Sequence, residues 1–369
     1  AGGVTIASGA TLDIQGVTVG AESVTLNGGT LSTSTGTSSL SGTIALGADS
    51  TISVAGTQLT LSGIMSGTGY GITKSGSGIL ILSGVNTYTG ATTITAGTLS
   101  ISADSGLGTA PSTPTVNQLI LNGGTLAVTA DMTLDADRGI SLNASSTIEV
   151  ASAKTLTYGG ILAGSTSTYG LTKTGAGTLT LSGANTFTGA ITISTGALRA
   201  SNNTALGTTA GGVTVASGAA LELSGAITIG DESLSLNNDG ISTGGALRNI
   251  SGDNTYGGTI TLATNAVRIN SDSGTLTLNK STTAITATNI NLTFGGSGNT
   301  TVTTIIATGS GTLTKDGTGT LTLSGANTYT GATTVSAGTL AVGHANGLGT
   351  TAGGVTIASG ATLDIQGVT

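Results

Sequence analysis

Three lysines, Lys74, Lys173 and Lys315, each stand twelve residues before an asparagine: Asn86, Asn185 and Asn327. Such pairs could close a Lys–Asn isopeptide bond, chemistry that needs a buried neutral amine with a carboxyl catalyst beside it. No acid recurs at a fixed distance from the three pairs. The residues therefore favour a solvated lysine edge that guards strands against unwanted pairing. The asparagines could hold a ligand, but asparagines in turns commonly bond nearby backbone. They read as turn residues, with the neighbouring aromatic ring packed on the body of the fold. The densest acids are Asp131, Asp135 and Asp137, beside Arg138. If the stretch is extended, Asp135 and Asp137 share a face, where two carboxylates could work as general acid and base on a polysaccharide or hold calcium. No second cluster accompanies them, and a solvated edge is the favoured reading.

Other chemistry is sparse. His344 is the sole histidine, in a loop-like, exposed stretch, and cysteine is absent. Neither a zinc site nor a Ser-His-Asp site follows. Gly295-Gly296-Ser297-Gly298-Asn299 lacks the aspartate of calcium-binding β-roll repeats. The Gly-x-Gly elements at Gly76/Gly78 and Gly175/Gly177 precede strand patterns and lack the third glycine of a dinucleotide loop. The reading assigns no catalytic, cofactor-binding or metal residues, no cofactor and no enzymatic activity.

The elements that position these residues are short. The stretch from Leu171 to Gly189, LTKTGAGTLTLSGANTFTG, occurs three times, with the other copies at Ile72–Gly90 and Leu313–Gly331. Thr178-Leu179-Thr180-Leu181 alternates polar with apolar, the period of a half-buried strand. Ser182-Gly183-Ala184-Asn185 is turn chemistry, and Thr192 and Ile193 begin another strand before Gly196. Strand, turn, strand, turn, without room for a helix, makes one coil of a solenoid. A degraded fourth copy lies at Gly252-Asp253-Asn254-Thr255-Tyr256-Gly257-Gly258.

The shared core G-x-G-T-L-x-L-S-G-x-N-T-[YF]-T-G, with the close at Gly97-Thr98-Leu99, Gly196-Ala197-Leu198 and Gly338-Thr339-Leu340, resembles the autotransporter-associated repeat of bacterial surface proteins, also called the passenger-associated transport repeat. The resemblance implies an all-β, elongated, right-handed parallel β-helix outside a Gram-negative cell, often in adhesins or very long surface proteins.

Composition agrees with a thin stacked core. Of 369 residues, 64 are Gly and 2 are Pro, and charged residues make up 7% against a usual quarter. Yet 37% are hydrophobic and the mean hydropathy is +0.34, which argues against disorder. Few large residues are available for one thick core, whereas stacked Leu, Ile and Val suit a solenoid. The net charge is −7 with no basic cluster, so nucleic acid is excluded as a partner. No run reaches the ~18 apolar residues of a membrane helix, and any export signal or anchor is expected outside this sequence.

Residues 1–18 and 352–369 are identical, an offset of 352 − 1 = 351. A third, imperfect copy starts at Ala210. The expected organisation is one 351-residue tandem unit, residues 1–351, with modules at about 1–100, 101–200 and 201–343 and a connection over 344–351. Residues 352–369 begin the next unit. One period should make ~17 coils and advance ~80 Å. The only prolines, Pro111 and Pro114, mark a loop leaving the coils. The expected function is a structural extracellular fibre or adhesin-type passenger at the bacterial cell surface, acting as stalk, filament or coat. Its expected partners are further copies of itself, end to end or side by side, and other cells, surfaces or glycans. The rivals are a β-helical polysaccharide-degrading enzyme and a lectin-like module binding through a loop such as Ala110–Pro114.

Overall fold

A computed structural model describes residues 2–164, 168–264 and 266–366. The fold is an all-β parallel solenoid of about 16 turns. Among the described residues the only helical elements are two short 3₁₀ turns, Asp104–Leu107 and Ile241–Thr243. No helix among them is long and apolar enough to cross a membrane.

The alternation written into the sequence becomes the two faces of each strand. Thr178–Leu181 places Leu179 and Leu181 at 0% exposure and leaves both threonines half-buried. Gln58–Leu61, Thr275–Leu278 and Thr320–Leu323 repeat the pattern. Each coil supplies strands of mostly three to five residues. A coil cannot bury its inward side chains alone, so stability comes from its neighbours.

The chain divides into two compact units: Ala1–Leu179 with Gly183–Gly189, and Thr180–Ser182 with Ala190–Thr369. In the first unit, Val24–Asn27, Thr30–Thr33 and Thr37–Leu40 form one coil, and Ile44–Ala48, Ser50–Val54 and Gln58–Leu61 form the next. Equivalent residues stack in parallel register, so that Leu59, Leu80, Leu99, Leu126 and Ile148 make one interior column. In the second unit Ile191, Val213, Leu234, Ile260, Ile285 and Ile306 make another. Members of these columns stand 19 to 27 residues apart in the sequence.

Glycine is needed where coils turn over one another. At Gly325, in the Ser-Gly of the third signature, a β-carbon would collide with the backbone carbonyl of Thr304 on the neighbouring coil. The proline loop is present as expected: residues 108–114 lie outside any strand. The strand that follows, Thr115–Asn122, loses register against Arg138–Ala144 between Thr115 and Leu119. Asn117 sits there at φ +61°.

Candidate functional site

The three lysines do not form a solvated edge. Lys74 and Lys173 are 0% exposed and Lys315 is 3% exposed. Each occupies an inward strand position: Lys74 is paired with Ile52 and Ile94, Lys173 with Ile148, and Lys315 with Phe294 and Val335. Its stem therefore extends an apolar column, and its amine meets carbonyls at the turn. Lys74 Nζ donates to the carbonyl oxygens of Ser75 (2.9 Å), Gly76 (2.7 Å) and Ala96 (3.0 Å). Lys315 repeats this with Asp316 (2.6 Å), Gly317 (2.9 Å) and Ala337 (3.2 Å). Lys173 bonds Thr174 and Gly175, both at 2.8 Å. Burial pushes the amines of Lys74 and Lys173 down to about 8, and Lys315 in the same direction. The expectation of an exposed edge failed because i, i+2 alternation puts these lysines on the core side, where the glycine turn offers carbonyls.

The asparagines join coils rather than closing only their own turns. Asn86 Oδ1 accepts from Met65 N (2.9 Å) on the preceding coil, and Nδ2 donates to Gly106 O (2.8 Å) on the following one. Asn327 does the same with Ile306 N (2.8 Å) and Gly347 O (2.6 Å). Asn185 accepts from Leu162 N at 2.8 Å. The degraded copy keeps the first bond, Ile227 N to Asn254 Oδ1 at 2.8 Å. The rings of Tyr88, Phe187, Tyr256 and Tyr329 are all buried. Lysine and asparagine of each copy thus engage different backbone groups, and no isopeptide geometry is formed.

The acid cluster is dispersed. Residues 135–137 turn rather than extend, so Asp135 and Asp137 do not share a strand face. Asp135 Oδ1 accepts from Asp137 N at 2.8 Å, and Asp131 accepts from Thr155 N at 2.7 Å. Arg138 is 1% exposed and clamps the Asp104–Leu107 turn. It reaches Asp104 (3.1 Å) and the carbonyls of Leu107 (3.0 Å) and Gly108 (2.9 Å). His344 is half-exposed, with Nδ1 accepting from Asn346 N at 3.0 Å. No group of three or more His, Cys, Asp or Glu among the described residues is placed to hold a metal ion. Beside the proline loop, a cavity of about 260 Å³ is walled largely by apolar groups, among them Pro114, Val116, Ile140 and Ile161. Two of its polar residues, Asn117 and Ser141, hydrogen-bond to each other.

The sequence reading missed a second constellation. In the second unit, Arg199, Glu222, Arg248, Asn270, Gly295 and Asp316 occupy equivalent register positions on successive strands or immediately beyond them. Arg199 Nε and Nη2 donate to Glu222 Oε2 at 2.9 and 2.7 Å. Arg248 lies 3.6 Å from Glu222 and donates to Asp272 at 2.8 Å. Asn270 links Asp272 (2.6 Å) to Arg268 (3.3 Å), and Arg268 closes a bidentate pair with Asp316, both bonds 2.7 Å. Three of the chain's four arginines are in this one network. Coil-length spacing between Arg199, Glu222 and Arg248 was the available signal. It is legible only once each strand's register is known.

Comparison with known proteins agrees with the repeat. The family described as Passenger-associated-transport-repeat matches residues 72–101, 171–200 and 313–342. The chain is 42% identical over 126 residues to the Adhesin BmaC autotransporter of Brucella suis biovar 1 (strain 1330). That alignment covers 34% of this chain and 3% of the relative, so the chain spans a small part of that protein's length. No solved structure matches. The chain carries three passenger-associated transport repeats, and their most distinctive polar residues face the interior.

Proposed function

We propose that this chain is a segment of an adhesin-type autotransporter passenger, displayed at a bacterial cell surface, whose own work is mechanical. It serves as stalk, filament or coat and holds weak surface contacts at fixed spacing, so that repetition raises avidity. The observation that carries this reading is the inward orientation of the repeat signature. Lysine, asparagine and aromatic ring are spent on bonds and packing between coils. The similarity to an adhesin supports the same reading.

Register supports tandem continuation. Val4 pairs forward with Val24, and Leu12 with Leu31. In the identical text 351 residues later, Val355 pairs backward with Thr333, and Leu363 with Leu340. One coil sequence thus accepts a neighbour on either side, as a unit repeated in tandem requires.

The test uses cells carrying the native polypeptide and an antibody raised against residues 1–18. The reading expects labelling of intact cells, a polypeptide mass far above 35.0 kDa, and reduced adhesion when the repeat-bearing segment is deleted. Labelling only after permeabilisation, or adhesion unchanged by the deletion, would contradict it.

A further inference from the structure

Among the described residues, the arginine–carboxylate network of the second unit gathers six partly exposed charged side chains on one sheet face. We infer that it is a binding strip for a neutral, hydroxyl-rich linear glycan. This names a ligand class for the adhesin-type reading and takes its biological context from it.

The strip is balanced: Arg199, Arg248 and Arg268 face Glu222, Asp272 and Asp316. A polyanion gains little from guanidinium groups that already hold carboxylates, and a polycation gains little from the carboxylates. A chain of neutral hydroxyls, each both donor and acceptor, can use both members of every pair. Five of the six charged side chains keep 20–34% of their surface exposed, with Glu222 at 6%. Part of each of these side chains therefore stays within reach of solvent. The pairs fix one another's rotamers before any ligand arrives, which lowers the ordering cost of binding.

The strip is also shaped. Gly295 stands where a side chain would collide with the Arg268–Asp316 pair, so that pair lies flat on the sheet. Five coil steps from Arg199 to Asp316 span ~24 Å at strand spacing, which suits an extended chain rather than a single sugar. Along one side runs the loop 238–245. Asn238, Ser242 and Thr243 there hold positive φ of 57°, 48° and 60°, and Gly244 sits beside the Arg248 guanidinium. Strained non-glycine backbone persists where the surroundings over-determine it, and it concentrates at ligand-binding sites. Ser242 and Thr243 are exposed and add hydroxyls to that wall.

The test is titration calorimetry on the full chain with cellohexaose, maltohexaose and a heparin hexasaccharide. Arg248→Gln and Asp272→Asn are the strip variants, and Lys154→Gln, far from the strip in the chain, is the control. At least one neutral hexasaccharide should bind, with affinity falling tenfold or more in both strip variants and unchanged in the control. Urea midpoints identify a variant that has failed to fold, in which case the other carries the test. The proposal is overturned if neither neutral hexasaccharide binds, if binding survives both substitutions, or if heparin binds more tightly. It is also overturned if sedimentation shows a dimer that Arg248→Gln dissolves, since the occupant is then a second copy. The antibody labelling of intact cells is independent of all these outcomes, so failure here and failure of the adhesin-type reading are told apart.

Discussion

Lys74 Nζ lies 3.0 Å from the carbonyl oxygen of Ala96, twenty-two residues along the chain and one coil on. The ammonium ion ties two coils together, yet burial lowers the pKa of Lys74 and Lys173 to about 8 from 10.5. Between those values the unfolded chain holds more protons than the folded one, so stability rises with pH. Above about pH 10 the buried tyrosines reverse the trend. Tyr88 is pushed up to about 12 and Tyr329 is raised, so the unfolded state ionises first. The urea midpoint should climb from pH 8 to pH 9.5 and then decline. The climb should shrink in the Lys74→Met/Lys173→Met double variant. A flat profile over that interval would contradict the burial of these amines.

Removing an asparagine should cost more than removing an exposed polar group. In Asn327→Ala, Ile306 N and Gly347 O each lose their side-chain partner inside the solenoid. At roughly 1–3 kcal/mol per orphaned buried group, the loss should be about 2–6 kcal/mol. Urea unfolding measures it. A change below 0.5 kcal/mol would mean that the asparagine is solvated.

The aromatic position gives a test with opposite signs. Tyr88 and Tyr329 bond the hydroxyls of Thr92 and Thr333 four residues on, at 2.7 and 2.8 Å. The second copy has Phe187 with Ile191 at the same spacing. The degraded copy mixes the two patterns: Tyr256 is followed by Ile260, and its buried hydroxyl has no hydrogen-bond partner among the described residues. Tyr88→Phe should destabilise by about 1 kcal/mol, and Tyr256→Phe should stabilise by a similar amount. Thermal melts of the pair decide it. Equal signs would contradict the assignment.

Glu232 is 2% exposed, and its carboxyl is pushed up to about 7, chiefly by burial. The folded chain keeps this proton between pH 4.5 and 7 while the unfolded chain releases it. The group's contribution is complete below 4.5 and lost as pH rises through 7. Glu232→Gln should therefore raise the melting temperature at pH 8 and leave it nearly unchanged at pH 4. A gain confined to acid pH would reverse the sign and refute the burial argument.

Much of the fold is legible in the sequence because a thin core leaves few choices. Thr-Leu-Thr-Leu segments of the repeated stretch read as strands and are strands, at Thr178–Leu181 and Thr320–Leu323. The proline loop is equally plain, since two prolines cannot donate to a ladder. The lysines mislead because charge argues for solvent more loudly than the two-residue period argues for the core. Only the placement of the Gly76 and Ala96 carbonyls shows what offsets the burial. Asp135 and Asp137 mislead because the strand ends at Leu134, before either of them, and the chain then turns. The Arg199–Glu222–Arg248 row stays hidden for another reason: coil length varies, and no fixed period links its members.

The central claim is that the repeat signature is a stacking device in a parallel solenoid, and register tests it most directly. Thr73 pairs with Thr93 across adjacent coils, where the strands lie ~4.8 Å apart, within disulfide reach. Thr95 is two residues further on, about 8 Å from Thr73 and out of reach. The chain has no native cysteine to interfere. Thr73→Cys with Thr93→Cys should form a disulfide under mild oxidation, read by mass, while Thr73→Cys with Thr95→Cys should not. A bond in the second pair and none in the first would contradict the register on which the account stands.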